Sequence, residues 1–178
     1  MEEITIHDKT FVPYIPADEV QKTIQRLGTE LTEEFKGKTP VFIGVLNGVI
    51  MLMGDLLKSY KGDCEMSFIR LASYHGTSST GEVKTIIDFQ EDFSGRDIII
   101  VEDIVDTGTT LEKLYQMVMQ QDVASCTIVS LFLKPDVYKK DLPIHKVGME
   151  IPNRFVVGYG LDYDGLGRNL PDIYQLKV

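Results

Sequence analysis

The sequence predicts an α/β fold with a parallel sheet, and three observations support this prediction. Short apolar runs of strand length alternate along the 178 residues with segments whose apolar residues recur at helical spacing. Polar or glycine-containing loops separate these segments, and no internal repeat or low-complexity linker interrupts them. Strands that alternate with helices are typical of parallel sheets. We therefore expect one domain over residues 1–178, with a parallel sheet core flanked by helices.

The first half of the chain begins with an amphipathic helix over residues 16–35. Its apolar residues include Val20, Ile24 and Leu27 at helical spacing, and Asp18 is its expected N-cap. Gly37 marks its end. The remaining elements expected in this half are a strand over 41–46, a helix over 49–60, and strands over 64–72 and 83–89, the last two separated by a polar loop.

The second half continues the alternation. An apolar run from Ile98 to Val101 predicts a buried strand that ends at Glu102, and a helix begins near Leu111. The later strands are expected over 126–133, 146–151 and 155–159. A tail rich in glycine and aspartate follows them.

Composition and charge argue against several classes of function. The formal net charge of −9 opposes bulk binding to DNA or RNA, which requires many phosphate contacts from Lys and Arg. No apolar stretch approaches the ~20 residues that span a bilayer, and the acidic N-terminus lacks the apolar core of a signal peptide. Cys64 and Cys126 lie inside apolar runs and are expected to be reduced core residues. These features predict a cytoplasmic protein with no nucleic-acid or membrane partner.

Residues 101–110, Val-Glu-Asp-Ile-Val-Asp-Thr-Gly-Thr-Thr, have the properties of a phosphate-binding loop. They connect a buried strand to the next helix, and free backbone N–H groups at a helix N-terminus bind anions. Gly108 allows the backbone to approach a ligand closely. Hydroxyl donors come from Thr107, Thr109 and Thr110, and the neighbouring acids are Glu102, Asp103 and Asp106. These acids would repel a phosphate unless they bind sugar hydroxyls, a metal ion or a proton. The combination therefore indicates a sugar phosphate and not phosphate alone.

This segment resembles the phosphoribosyl diphosphate (PRPP) signature of type I phosphoribosyltransferases over ten successive positions. The resemblance implies that residues 106–110 bind the 5′-phosphate of PRPP. It also implies that Glu102 and Asp103 hold the ribose hydroxyls and act on the metal ion, and that Asp106 is the general base for the purine N7 proton. From the residues alone, Asp106 is more often the N-cap of a helix, and this alternative stays open.

A second segment, from Arg154 to Arg168, resembles the hypoxanthine-guanine branch of the same family. It contains Phe-Val-Val-Gly-Tyr-Gly-Leu-Asp-Tyr, with an arginine six residues beyond the first aspartate. The resemblance implies that Phe155 stacks on the purine and that the backbone of Val156 reads the purine edge. It further implies that Asp162, beside the purine, binds Mg²⁺ and that Arg168 contacts pyrophosphate. Taken singly, these side chains are more often a core Phe, a turn Asp and a surface Arg.

Two more segments match the family in chain order. Lys134 follows a predicted strand, where a lysine is usually exposed, but the resemblance makes it a donor to the purine 6-oxo group. Such a donor favours hypoxanthine and guanine over adenine. The segment Leu46, Asn47, Gly48 matches the pyrophosphate loop, where relatives lead us to expect a cis peptide. Asn47 and Thr109 stand where some relatives have lysine, so Mg²⁺ and Arg168 must neutralise more of the diphosphate.

The polar loop from Ser73 to Gly81 has two interpretations. Its small residues bury little area, so an idle surface loop is the simpler one. The family has a Ser-Tyr pair at this position, in a lid that closes over the reacting centre, and Ser73 and Tyr74 match it. We therefore expect a lid that excludes water from the reaction.

Together these segments predict a purine phosphoribosyltransferase with the type I fold, in which the terminal segments form a small hood. The resemblance implies transfer of the phosphoribosyl group from PRPP to hypoxanthine and guanine, with Mg²⁺ as cofactor. It also implies a homodimer or homotetramer. The alternative is a regulatory protein that senses PRPP without turnover and has no need of the base, the stacking Phe or the lid. A nicotinamide-dependent dehydrogenase fails, because the glycine fingerprint of that fold is missing.

Overall fold

The computed structural model describes residues 2–73, 83–87, 89 and 91–178, and it confirms the predicted α/β fold. In chain order the described elements are β1 Ile4–Ile6, β2 Lys9–Ile15, α1 Ala17–Glu34, β3 Val41–Val45, α2 Ile50–Ser59, β4 Glu65–Ser73, β5 Val83–Ile87, β6 Asp97–Val105, α3 Thr109–Met119, β7 Ser125–Leu133, β8 Lys146–Glu150, β9 Val156–Val157 and β10 Ile173–Leu176. These strands form a larger sheet in the order β5-β4-β3-β6-β7-β8 and a smaller sheet in the order β1-β2-β10-β9.

The larger sheet is parallel from β4 to β8, as the alternation of strands and helices predicts. β3 pairs in parallel with β4 and β6, β6 pairs with β7, and β7 pairs with β8. The antiparallel edge strand β5, which pairs with β4, was not part of that prediction. Helices α1 and α2 pack on one face of the sheet, and α3 packs on the other. All of β3 is buried because helices cover both faces.

The smaller sheet joins segments from both ends of the chain. β2 pairs antiparallel with β1 and with β10, and β10 pairs with the short strand β9. Phe11, Val157 and Tyr174 are buried in an apolar cluster of this sheet. The sequence did not predict β1, β2 or β10. It also predicted a longer strand over 155–159, but residues 158–160 adopt positive φ and end β9.

Asp18 is not the N-cap of α1, contrary to the prediction from sequence. Pro16 occupies the N-cap position, and Asp18 lies in the first turn, where it pairs with Lys22 at 3.0 Å. The N–H group of Ala17 donates instead to Oδ1 of Asp172 at 2.7 Å. A carboxylate distant in sequence therefore satisfies one free donor at the start of the helix.

Both cysteines pack against the core, as the sequence predicts. Cys64 and Cys126 are free thiols that are partly buried, each packed against a different apolar cluster of the larger sheet. Burial raises the pKa of the Cys126 thiol to about 12, so it stays protonated at neutral pH. In the described part of the chain, no helix combines the length and the apolar character needed to cross a membrane.

Asp172→Ala should lower the free energy of unfolding by about 1 kcal/mol, because it removes the acceptor at the start of α1. Asp18→Ala should lower it much less, since an exposed ion pair contributes little. Chemical denaturation of both variants and of the wild type measures the difference. Equal losses in the two variants would contradict the assignment of the cap to Asp172.

Candidate functional site

Three of the predicted site segments lie side by side at the carboxyl edge of the larger sheet. Residues 46–48 follow β3, residues 106–110 follow β6, and Lys134 follows β7. These three strands are neighbours in the sheet. The N–H group of Lys134 donates to the carbonyl oxygen of Val105 at 3.0 Å, so strand pairing continues up to this edge. In open α/β sheets, ligands bind at the carboxyl ends of the strands.

Residues 106–110 form a loop that opens α3. Gly108 is the N-cap residue, with φ of +80°, and it offers no side chain to the first N–H groups of the helix. The hydroxyl oxygens of Thr107 and Thr109 lie 3.3 Å apart. A cavity of about 180 Å³ is lined by residues 104–111 and by Glu102. Free N–H groups, hydroxyls and the positive end of a helix dipole therefore face one small cavity, which suits an anion.

Asp106 and Lys134 form an ion pair at this edge, with 3.1 Å between Oδ2 and Nζ. The side chain of Lys134 is 8% exposed, whereas that of Asp106 is 52% exposed. Lys134 is therefore not a solvent-exposed lysine of the kind that usually ends a strand. Asp106 is not the N-cap of α3 either, because Gly108 occupies that position. The simpler structural explanations of both residues thus fail.

Glu102 and Asp103 lie inside β6, because this strand continues to pair with β7 through Val105. The predicted strand, which ended at Glu102, was therefore too short. Successive side chains of a strand point to opposite faces. Accordingly, Glu102 lines the cavity of the loop 106–110, whereas the Asp103 carboxylate lies against Gly48. The two acids serve different parts of the site.

Burial raises the pKa of both acids. Glu102 is 6% exposed, and its burial, with the neighbouring charge of Asp103, raises its pKa well above the usual range of a glutamate. Burial also raises the pKa of Asp103 to about 6, although its bond from the Ile104 N–H group and the nearby Arg168 guanidinium act in the opposite direction. A cation bound beside such a carboxyl favours its ionised form.

Residues 46–48 are packed between Asp103 and Gly160. The peptide bond between Leu46 and Asn47 is cis, as the resemblance predicts. A Cβ atom on Gly48 would collide with the Asp103 carboxylate, and a Cβ atom on Gly160 would collide with the carbonyl oxygen of Gly48. Both positions therefore need glycine for this close approach.

Asp162 and Arg168 join the same cluster through Gly160. Arg168 Nη1 donates to the carbonyl oxygen of Gly160 at 2.7 Å, and Arg168 Nη2 lies 2.8 Å from Oδ1 of Asp162. The other carboxylate oxygen of Asp162 accepts a hydrogen bond from the Gly165 N–H group at 2.7 Å. Among the described residues, no group of three or more His, Cys, Asp and Glu side chains is placed to hold a metal ion. An ion here would need oxygen ligands from a bound substrate as well.

Phe155 and Val156 come from the smaller sheet. Phe155 is 45% exposed, and the centroid of its ring lies 5.8 Å from that of Tyr163 and 6.2 Å from that of Phe11. Val156 is buried and pairs with Gln175 of β10. Phe155 thus combines a fixed backbone with an exposed aromatic face, as stacking on a planar ligand requires.

The predicted lid begins at the end of a described strand. Ser73 is the last residue of β4, and Tyr74 lies outside the described residues. The lid therefore stays a prediction.

Comparison with known proteins identifies the family. The model of the phosphoribosyl transferase domain matches residues 16–164. The chain belongs to this family. Its predicted membership of the phosphoribosyltransferases is thereby confirmed.

Relatives of this phosphoribosyltransferase match it over almost its whole length. A hypoxanthine-guanine phosphoribosyltransferase of Bacillus subtilis (strain 168) is 45% identical over 164 residues, which are 92% of this chain and 91% of that protein. The crystal structure of a hypoxanthine phosphoribosyltransferase from Staphylococcus aureus has a TM-score of 0.88 and 41% identity, and covers 93% of this chain and 91% of that chain. A hypoxanthine phosphoribosyl transferase of Trypanosoma cruzi gives a TM-score of 0.88 at 31% identity, with 98% and 95% covered. The predicted type I fold is therefore confirmed.

Sequence reasoning missed Tyr138 and Lys140, which brace the loop 106–110 of this phosphoribosyltransferase. A Cβ atom on Gly108 would collide with the Tyr138 ring and would lie 3.1 Å from Cγ of Lys140. The Tyr138 hydroxyl donates to the carbonyl oxygen of Leu142, and Lys140 Nζ lies 2.7 Å from Oε2 of Glu112 in α3. The only signal in the sequence was their position shortly after Lys134.

Gly108→Ala should weaken binding of ribose 5-phosphate and destabilise the protein, because its Cβ would displace Tyr138 from the loop. Gly95→Ala is the matched control, since Gly95 also has positive φ, at +69°, but has nothing within 4 Å of its Cβ position. The control should lose only about 1 kcal/mol of unfolding free energy from backbone strain. Ligand titration and denaturation measure the two effects. Equal behaviour of the variants would show that the contact with Tyr138 does not shape the loop.

Proposed function

We propose that this protein transfers the 5-phosphoribosyl group of PRPP to N9 of hypoxanthine, and of guanine, with release of pyrophosphate. The products are IMP and GMP, so the reaction is a step of purine salvage. The observation that carries the proposal is the Asp106–Lys134 pair beside the anion-binding loop 106–110. This pair offers a proton acceptor and a hydrogen-bond donor, which a 6-oxopurine can use together. Curated relatives at 43% and 45% identity, named hypoxanthine-guanine phosphoribosyltransferase, support it.

The loop 106–110 binds the 5′-phosphate, away from the reacting carbon. N–H groups at the start of α3 and the hydroxyls of Thr107, Thr109 and Thr110 donate to the phosphate oxygens. Glu102, which lines the same cavity, holds the ribose hydroxyls. Binding energy released at these groups aligns the ribose so that its C1′ faces the purine.

Asp106 and Lys134 act on the purine. The Asp106 carboxylate accepts the N7 proton while N9 attacks C1′. The Lys134 ammonium donates to the 6-oxo group. Adenine is disfavoured because its 6-amino group is also a donor and leaves Lys134 without an acceptor on the base. Phe155 stacks on the ring, the Val156 backbone reads its edge, and Asp162 lies beside it.

Asp103, Asp162 and Arg168 serve the diphosphate, together with the segment 46–48. Carboxylate oxygens suit Mg²⁺, and the raised pKa of the desolvated Asp103 carboxyl marks a group that a cation would stabilise in its charged form. The residues present therefore fit Mg²⁺, which when bound neutralises the diphosphate oxygens and makes pyrophosphate a better leaving group. The planar guanidinium of Arg168 holds pyrophosphate oxygens.

Other parts of the chain supply a lid, a hood and a surface for oligomer formation. A lid at Ser73 and Tyr74 keeps water from an oxocarbenium-like C1′. The smaller sheet serves as the hood of a single domain. Helix α2 buries Leu52 and Met53 but exposes Ile50 and Met51, which offers apolar surface for a homodimer or homotetramer.

A regulatory protein that senses PRPP without turnover is the alternative from another class. Such a sensor has no need of a general base or of purine contacts, whereas this chain has Asp106, Lys134 and Phe155 in place. The relatives reported above all carry the names of phosphoribosyltransferases. No observation favours the sensor.

Asp106→Asn should reduce kcat by about 100-fold or more, because asparagine does not accept the N7 proton. Its side-chain oxygen still accepts a hydrogen bond from Lys134, so PRPP affinity should change little. Steady-state kinetics and titration with PRPP measure the two quantities. Asp136→Asn, at an exposed acid near Lys134, is the control and should alter neither. Equal losses of turnover and affinity in Asp106→Asn would refute its role as the base.

With PRPP and Mg²⁺, the wild-type protein should turn over hypoxanthine in strong preference to adenine. Lys134→Ala should reduce the ratio of kcat/KM for hypoxanthine to that for adenine by about tenfold or more, because it removes the donor to O6. Lys139→Ala, at an exposed lysine, should leave that ratio unchanged. An unchanged ratio in Lys134→Ala would exclude Lys134 from base recognition. If the wild type turned over none of hypoxanthine, guanine and xanthine, the proposed function would be refuted.

A further inference from the structure

Tyr159 is a buried tyrosine in an unusual backbone conformation. Its φ is +47°, and it stands between Gly158 and Gly160, whose φ values are +108° and +98°. Its side chain lies in the apolar core that α1 and α2 cover, and the residue is 4% exposed. A bulky residue with positive φ costs free energy, so the surrounding contacts must hold it in place.

The Tyr159 hydroxyl provides such a contact. It donates to Oδ2 of Asp55 on α2 at 2.5 Å, and the same oxygen accepts a bond from Nε2 of Gln21 on α1 at 2.9 Å. Asp55 is ionised: burial acts to raise its pKa, but hydrogen bonds from Tyr159, Gln21 and Lys58 outweigh this and lower it. A hydrogen bond to a charged acceptor is stronger than one between neutral groups. The phenol is therefore tied to both helices.

This hydrogen bond is connected through the chain to residues 46–48, the segment proposed to bind the diphosphate. Helix α2 begins directly after residues 46–49, so Asp55 belongs to the same continuous piece of chain as Gly48. On the other side, Gly160 follows Tyr159 and lies against the carbonyl oxygen of Gly48. Arg168 in turn donates to the carbonyl oxygen of Gly160. The hydroxyl of Tyr159 thus fixes the turn that carries Asp162 and Arg168 to the helix that follows the segment 46–48.

We infer that Tyr159 is a positioning residue for the diphosphate half of the site, and that its hydroxyl holds Gly160, Asp162 and Arg168 in register with the segment 46–48. The inference rests on the proposed function. It goes beyond that function because it predicts that different contacts hold the diphosphate half and the purine half of the site in place. Val156 pairs with β10, and the carbonyl oxygen of Phe155 accepts the Leu176 N–H group at 2.9 Å. Loss of the Tyr159 hydroxyl should therefore affect PRPP more than the purine.

Tyr159→Phe tests this inference, because it keeps the ring and removes only the hydroxyl. The KM for PRPP and the dissociation constant for pyrophosphate with Mg²⁺ should rise roughly five- to tenfold, as expected for displaced binding groups, while the KM for hypoxanthine should change less than about twofold. Asp55→Asn keeps an oxygen acceptor and should give a smaller change. Adding it to Tyr159→Phe should change the PRPP constants little further, since Asp55 acts on the turn after β9 through the Tyr159 hydroxyl.

Ser125→Ala is the matched control. The Ser125 hydroxyl also donates to a carboxylate at 2.5 Å, that of Asp97, which a lysine likewise contacts. This pair lies at the amino ends of β6 and β7, away from the site. Whatever thermal stability the control loses, its KM for PRPP should match that of the wild type.

The outcomes separate the inference from the proposed function. A specific rise in the PRPP and pyrophosphate constants of Tyr159→Phe supports the inference, whereas equal changes for PRPP and hypoxanthine, or no change, overturn it. If the wild type binds PRPP without turning over any purine, the proposed function fails. Titration of wild type and Tyr159→Phe with PRPP and with pyrophosphate then still decides the positioning role, because those constants need no turnover.

Discussion

Gly48 has no side chain, and the Asp103 carboxylate fills the space where one would lie. Gly160, in the turn after β9, lies against the carbonyl oxygen of Gly48. This contact fixes the end of β3, the strand β6 and the turn after β9 relative to one another. Because protein interiors are close-packed, a shift at any of the three would displace the others. The loop 106–110 depends on it as well, since Asp103 and this loop belong to one continuous piece of chain.

The site concentrates acids in a chain that already carries a net charge of −9. Two of them form ion pairs: Lys134 pairs with Asp106, and Arg168 pairs with Asp162. The other two, Glu102 and Asp103, have their pKa values raised by burial. An anionic substrate therefore meets less negative charge at Glu102, Asp106 and Asp162 than the composition suggests, whereas Asp103, whose pKa of about 6 lies below neutral pH, stays largely ionised. Glu102 and Asp103 are the ones proposed to receive ribose hydroxyls and Mg²⁺, which would shift them towards their ionised forms.

Local patterns predicted the larger sheet because continuous apolar runs such as Ile98 to Val101 are sufficient to indicate buried strands. The smaller sheet was missed because pairing between distant segments creates it. Pro13 even lies within β2, opposite Tyr174, where the register with β10 shifts. In the site, the family pattern supplied Asp106 and Lys134 separately, but only the fold shows that they form a pair. Sequence reasoning assigned no role to Tyr138 or Tyr159, because their contacts, with the loop at Gly108 and with Asp55 of α2, join segments that are distant in the chain.

The pairing of β2 with β10 joins segments separated by most of the chain. Closing so long a loop costs conformational entropy before any contact is gained. The strand–helix units of the larger sheet connect neighbours in sequence and avoid most of that cost. The larger sheet, with the loop 106–110, can therefore fold from local units. The smaller sheet, which carries Phe155, forms only after distant segments of the chain meet. The proposed stacking of Phe155 on the nucleobase would be the last contact that the folding chain can offer.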